Sequence, residues 1–212
     1  MQNKLMLIDK LPFENANKEL LGLLIEETKF SLSDIEVVLN FDEKELVNIF
    51  FNEYKFFSRE DLLFIEKFIN DNLDHINKDF VSDLIYFALD FGLDLDYRKV
   101  LSILLIETEE TDCLVLAGIE YISMNLKFLY IEEIIEKLEL VINKTVYHQN
   151  EQLLASLTLY RLTRKSNYLD FIQELINYDD SNLNYLTNVL KSKMYNEKFF
   201  DYSEFYSKIK LK

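Results

Sequence analysis

The chain has 212 residues, 49% of them hydrophobic, and a formal net charge of −15. Disordered chains are poor in hydrophobic residues, so this composition predicts an ordered globular protein. Its negative field disfavours nucleic acid and anionic lipid as partners and favours a basic protein. With Cys113 as the single cysteine, a disulfide framework and a cysteine metal cluster are both excluded within one chain.

Targeting and membrane segments are not predicted. The apolar run near the N-terminus is only four residues long before Asp9, whereas a signal peptide needs a longer apolar core and a small-residue cleavage site. The longest mostly apolar runs, such as 113–119, are far too short to span a bilayer. We therefore expect a soluble cytoplasmic protein, and a lone cysteine suits that reducing compartment.

Apolar residues recur at helical spacing along nearly the whole chain, which only three glycines and one proline interrupt. Polar residues at capping positions predict where the first helices begin. In chain order these predicted starts are Ser33 with Glu36, Asp42 with Glu45, Ser58 with Glu60 and Asp61, Asn77 or Lys78, Asp96, and Thr111 or Asp112. Gly92 stands where a left-handed C-terminal cap is wanted.

The later helices alternate between two patterns. The helix that follows Thr111 or Asp112 is apolar on nearly every side, whereas residues 130–144 are amphipathic. Asn150 is predicted to start another strongly apolar helix, and further helices fit residues 167–178, 182–195 and 201–210. No segment shows the strict alternation of a strand.

Two segments also match each other at an offset of 38 residues: 114–119 (LVLAGI) and 152–157 (QLLASL) share a small pair at the same place. Helix-pair repeats have periods near ~40 residues, so the chain resembles HEAT and armadillo repeat proteins. This resemblance implies an all-α fold of about 10–12 helices. The helices would form stacked antiparallel hairpins in an irregular HEAT-like solenoid; a non-repetitive helical bundle is the alternative.

The predicted organisation is one all-helical domain over residues 1–212 with three parts. Residues 1–57 form N-terminal capping helices, residues 58–195 the stacked hairpins, and residues 196–212 a basic C-terminal helix. Residues 191–212 hold six lysines against three acids, so the rest of the chain is more negative than the total suggests.

No catalytic constellation is present in the sequence. Neither His75 nor His148 follows an acid by three positions, which excludes the Glu-x-x-His pairs of di-iron bundles. Three isolated glycines cannot form a phosphate-binding loop or a nucleophile elbow. We therefore predict no catalytic, metal-binding or cofactor-binding residue.

The candidate functional surface is acidic. Glu107, Glu109, Glu110 and Asp112 place four acids in six residues at a joint between helices, and Glu132, Glu133, Glu136 and Glu139 follow in the next helix pair. Close like charges repel each other, and a cationic partner would offset that repulsion. The alternative explanation is that these acids only keep the protein soluble.

The leading expectation is a non-enzymatic protein–protein interaction module whose acidic face binds a basic protein. Small, acidic, all-helical proteins of this kind resemble several bacterial immunity families in composition and architecture. That resemblance implies an inhibitor that neutralises a cationic toxin or nuclease. The alternatives are an enzyme or small-ligand-binding protein, with a site of scattered carboxylates and tyrosines between helices, and a purely structural adaptor.

Overall fold

The computed structural model describes residues 1–26, 29–105, 113–143 and 148–191. Within these ranges the chain is all-helical, with 12 α-helices and one 3₁₀ turn, which confirms the predicted fold class and helix number. The helices are α1 (Gln2–Ile8), α2 (Phe13–Glu26), α3 (Leu32–Leu39), α4 (Lys44–Glu53), α5 (Arg59–Asn72), α6 (Lys78–Phe91), α7 (Tyr97–Ile103), α8 (Leu114–Met124), α9 (Ile131–Asn143), α10 (Gln149–Thr163), α11 (Ser166–Tyr178) and α12 (Asp180–Lys191). The 3₁₀ turn, Phe128–Tyr130, directly precedes α9. Among the described helices, none is both long enough and apolar enough to cross a membrane.

The chain divides into two compact units, and the first comprises Met1–Asp96 with helices α1 to α6. Its helices pack in successive pairs, α1 on α2, α3 on α4 and α5 on α6. They also contact the helix two places along the chain, so that α1, α3 and α5 form one layer and α2, α4 and α6 form another. A core between two layers explains why each helix buries one stripe of its apolar residues.

The second unit is Tyr97–Lys212, and its described helices are α7 to α12. Here α10 is central, because it packs against α8, α9, α11 and α12. Its residues 153–160 are all buried, as the apolar pattern of this segment predicts. The contacts of α8 with α10 and of α10 with α12 again form a layer of alternate helices.

A buried hydroxyl pair fixes α8 against α10. The side-chain oxygens of Ser123 and Thr158 lie 2.6 Å apart, and these residues are 1% and 0% exposed. Thr158 donates its hydroxyl proton to the Leu154 carbonyl at 2.9 Å. The Ser123 hydroxyl is therefore the donor to Thr158, since a hydroxyl has only one proton.

Gly118 brings α8 close to the residues at the end of α7. A Cβ atom at this position would lie 3.3 Å from Leu104 Cδ2 and 3.4 Å from Ile103 Cγ2, both in buried side chains. This close approach explains why a glycine lies inside α8, at the small pair Ala117-Gly118 that the sequence pattern singles out.

The contact pattern is compatible with stacked hairpins and with a bundle, and the repeat itself stays a prediction. The proposed division into residues 1–57, 58–195 and 196–212 also stays a prediction.

Three of the predicted helix boundaries are confirmed. Ser58 caps α5 in a capping box with Asp61, and Asn77 caps α6. Gly92 ends α6 in the left-handed region, with φ 65° and ψ 37°. The predicted start at Thr111 or Asp112 and the helix at 201–210 lie outside the described residues.

Three other predicted starts are wrong by one or two residues. The cap of α3 is Ser31 with Asp34 rather than Ser33, the cap of α4 is Glu43 rather than Asp42, and α10 begins at Gln149 rather than Asn150. For α3 the sequence offers two serines in capping-box spacing. A tertiary contact selects the first, because the buried Phe30 amide donates to the Tyr54 hydroxyl at 3.0 Å and fixes the residue before Ser31.

Candidate protein interface

The acidic residues predicted as partner-binding divide into two groups in the structure. Glu132, Glu133 and Glu136 are exposed on α9, whereas Glu107, Glu109, Glu110 and Asp112 lie outside the described residues. The orientation of α9 follows from its apolar stripe, because Ile134, Leu138 and Val141 are buried where α9 packs on α10. The three glutamates occupy the opposite face, as the helical period predicts.

Glu139, which the helical pattern also predicts to face outward, does not share this face, so that part of the prediction is wrong. It is half-buried, and its carboxylate accepts a hydrogen bond of 2.5 Å from the hydroxyl of Tyr168 on α11. Burial, the hydrogen bond to the Glu139 carboxylate and the charge of that carboxylate together raise the pKa of Tyr168 to about 12. Glu139 therefore ties α9 to α11 rather than facing solvent.

Two large apolar side chains next to the glutamates are exposed to solvent. Phe128 is 79% exposed and Leu129 is 86% exposed, and both lie in the 3₁₀ turn that leads into α9. Leu140 on α9 is 36% exposed on the same face as Glu136, one helical turn away. Exposed aromatic and aliphatic residues beside charges are typical of protein-binding surfaces.

The turn that carries Phe128 and Leu129 is anchored on both sides by one buried residue. Tyr97, which is 3% exposed, stacks on Tyr130 with 5.1 Å between ring centroids. The Lys127 ammonium lies 5.3 Å from the centre of the same Tyr97 ring, within the range of a cation–π contact. Since residues 127 and 130 both contact Tyr97, the two side chains between them are held outward before any partner arrives, and preorganisation of this kind reduces the entropic cost of binding.

We call Phe128, Leu129, Glu132, Glu133, Glu136 and Leu140 the α9 surface. Glu132 and Glu133 lie in the first turn of α9, where the helix dipole stabilises each acid by roughly 0.3–1 kcal/mol. Helix stability alone therefore accounts for two of the three glutamates. It accounts neither for Glu136, one turn further on, nor for the exposed Phe128 and Leu129. The combination of apolar and acidic side chains is the feature that indicates binding.

The sequence predicted the glutamates of this surface and missed its apolar part. Phe128 and Leu129 do not stand out in the sequence, because hydrophobicity alone gives no sign of exposure. The available signal was their position in a joint, between the end of α8 at Met124 and the amphipathic run from Ile131.

A second surface feature lies in the first unit, between α1 and α3. An open groove of about 520 Å³ has Met6, Val37 and Phe41 among its lining, with the carboxylates of Asp9 and Glu36. One Asp9 oxygen accepts the Asp42 amide at 3.0 Å and so links the ends of the two helices. The groove has room for a small molecule or for a side chain of another protein.

Both histidines have local structural contacts. The His75 ring lies edge-on to Phe80 at 5.2 Å, and its Nδ1 accepts the Asn77 amide at 3.1 Å. His148 is the N-cap of α10, and its amide donates to Glu151 at 2.9 Å. These contacts place each histidine beside a helix start.

No protein-family model matches this chain, and no curated protein or solved structure is significantly similar to it. Function therefore has to be inferred from the physical properties of the α9 surface.

Proposed function

We propose that the protein is a non-enzymatic protein–protein interaction module whose α9 surface binds a basic protein. One observation carries the proposal: Phe128 and Leu129 are 79% and 86% exposed on an anchored turn, directly beside three exposed glutamates. The apolar pair would supply most of the affinity, because burying such a side chain stabilises a complex by about 1.5–3 kcal/mol. The glutamates would supply the preference for a cationic partner and a fast association rate.

In its most concrete form, the protein is an immunity-type inhibitor that neutralises a cationic toxin or nuclease. An inhibitor must reach its target before damage occurs, and complementary charge raises association rates well above those of neutral pairs. The net charge of −15 supports this form of the proposal. A cytoplasmic location is part of the proposal, because a single cysteine suits a reducing compartment.

Affinity capture with matched variants tests the proposal. The full chain, a Phe128→Ser/Leu129→Ser variant and a Glu132→Gln/Glu133→Gln/Glu136→Gln variant would each be used to capture proteins from the native host, followed by elution with increasing salt. The proposal predicts a basic protein that the wild type retains and that salt releases. Both surface variants should lose it.

The control replaces two equally exposed apolar residues elsewhere. Ile25 and Ile76 are 84% and 95% exposed in the first unit, so Ile25→Ser/Ile76→Ser removes as much exposed apolar surface away from α9. This control should retain the partner as the wild type does. If all the variants retained the same proteins, the α9 surface would not be the binding surface.

The groove between α1 and α3 favours the second candidate function, a protein that binds a small ligand between helices. Its two carboxylates, Asp9 and Glu36, outnumber the single cation of its lining, Lys10. They lie near the apolar side chains of Met6 and Val37, and this lining suits a cationic molecule with an apolar part. A screen of amines by thermal unfolding, with Asp9→Asn/Glu36→Gln as the comparison, tests this candidate. A ligand that stabilised the wild type and this variant equally would rule out the groove as its site.

A further inference from the structure

Four exposed residues of the α9 surface form a single line. Leu129, Glu133, Glu136 and Leu140 are spaced by four, three and four positions, and all four are exposed. Glu133, Glu136 and Leu140 lie on α9, where 3.6 residues per turn keeps this spacing on one stripe, and Leu129 lies in the 3₁₀ turn at the N-terminal end of that stripe. The stripe is apolar at both ends and acidic in the middle, and its two ends lie about 17 Å apart at a rise of 1.5 Å per residue in the α-helix and 2.0 Å in the 3₁₀ turn.

The stripe presents mainly side chains rather than backbone groups. Within α9 the amides and carbonyls bond to each other four residues apart, so an extended peptide could not add to this surface as it adds to the edge of a sheet. A partner must therefore match the spacing of the side chains. Another helix does so, because its own residues at positions 0, 4, 7 and 11 also fall on one stripe of the same length.

We propose that the contacting element of the partner is an amphipathic α-helix with an apolar residue at each end of a three-turn stripe and two cationic residues between them. The cations would face Glu133 and Glu136, and the apolar ends would cover Leu129 and Leu140, with Phe128 beside the first. The spacing 0, 4, 7, 11 reads the same in both directions, so it fits a parallel or an antiparallel partner helix. This inference rests on the proposed function and specifies the partner's chemistry.

Synthetic peptides and the full chain test this inference. The first peptide carries leucines at positions 0 and 11 and lysines at positions 4 and 7 of an otherwise alanine- and glutamine-rich helix. The second peptide has the same composition, but its two leucines and two lysines are moved to positions that do not share one face of the helix. The third peptide keeps the pattern and has a proline at its centre, which breaks the helix. Binding of labelled peptide would be followed by fluorescence anisotropy.

We expect the patterned peptide to bind at least tenfold more tightly than the scrambled and proline peptides. Glu133→Gln/Glu136→Gln should remove most of this preference. Glu14→Gln/Glu19→Gln, which alters two exposed glutamates of α2, should leave it intact.

If the three peptides bound equally, or if the patterned peptide did not bind, the inference that the partner contacts the stripe through an amphipathic helix would be wrong. If in that case a natural partner still depended on Phe128 and Leu129, the proposed function would stand and only this inference would fail. If no natural partner depended on those residues, the proposed function itself would fail.

Discussion

The same substitution at two glycines of the first unit should have opposite effects on stability. Gly22 lies inside α2, and an added Cβ meets no atom within 4 Å, so Gly22→Ala gains helix propensity without a clash. That gain is worth about 0.5–1 kcal/mol. Gly92 ends α6 at φ 65°, again with open space around a Cβ. Gly92→Ala should therefore be destabilised only by the left-handed backbone conformation, which lowers the free energy of unfolding by about 1–2 kcal/mol for an L-residue.

Thermal unfolding followed by circular dichroism at 222 nm measures both effects. Both glycines belong to the unit Met1–Asp96, so both act on the same transition. In a transition of 60–100 residues 1 kcal/mol shifts Tm by roughly 4–8 °C, and in one that includes the whole chain it shifts Tm by roughly 2–4 °C. Gly22→Ala should raise Tm by several degrees and Gly92→Ala should lower it. Shifts of the same sign would refute the reasoning, since the two environments would then not differ as the structure shows.

Three further predictions concern buried and half-buried polar groups. Thr158→Val should lower the free energy of unfolding by about 1–3 kcal/mol, because it leaves the Ser123 hydroxyl without its acceptor. Ser123→Ala should lower it by about 1 kcal/mol. A urea-denaturation double-mutant cycle should show a coupling of at least about 0.5 kcal/mol, and additive effects would contradict the contact. The pKa of Tyr168 is raised to about 12 from 10.0, so its contribution to stability is complete below pH 10 and is lost as the pH rises towards 12. Tyr168→Phe should therefore make the loss of stability above pH 10 less steep in urea melts, and an unchanged slope would argue against the shift. Burial, and then the charge of the Asp79 carboxylate one turn earlier, raise the pKa of Asp83, so Asp83→Asn should be more stable than wild type at pH 7, with a difference that shrinks as the pH falls through the raised pKa and is gone below the usual pKa of aspartate.

Periodicity was sufficient to predict the helices and most of the outward face of α9, and it failed at Glu139 because Tyr168 of α11 contacts that residue. The spacing of Ile134, Leu138 and Val141 determines which side of α9 is buried, and Glu132 and Glu136 then follow on the other side. Such local patterns depend only on the repeat of the helix.

Features that depend on contacts between distant residues could not be predicted. The start of α3 at Leu32 depends on the bond between the Phe30 amide and Tyr54, 24 positions along the chain. The exposure of Phe128 likewise depends on the anchoring of its turn to Tyr97. In both cases a tertiary contact decides between local structures that the sequence allows equally.

The most direct test of the α9 surface compares binding and folding in one variant. Phe128→Ser/Leu129→Ser alters two exposed side chains, so its free energy of unfolding should stay within about 0.5 kcal/mol of wild type. Its dissociation constant for the captured basic protein, measured by isothermal titration calorimetry, should rise at least ~100-fold, because each of the two side chains contributes on the order of 1.5–3 kcal/mol when buried. An unchanged dissociation constant, with folding intact, would contradict the assignment of the α9 surface as the binding site.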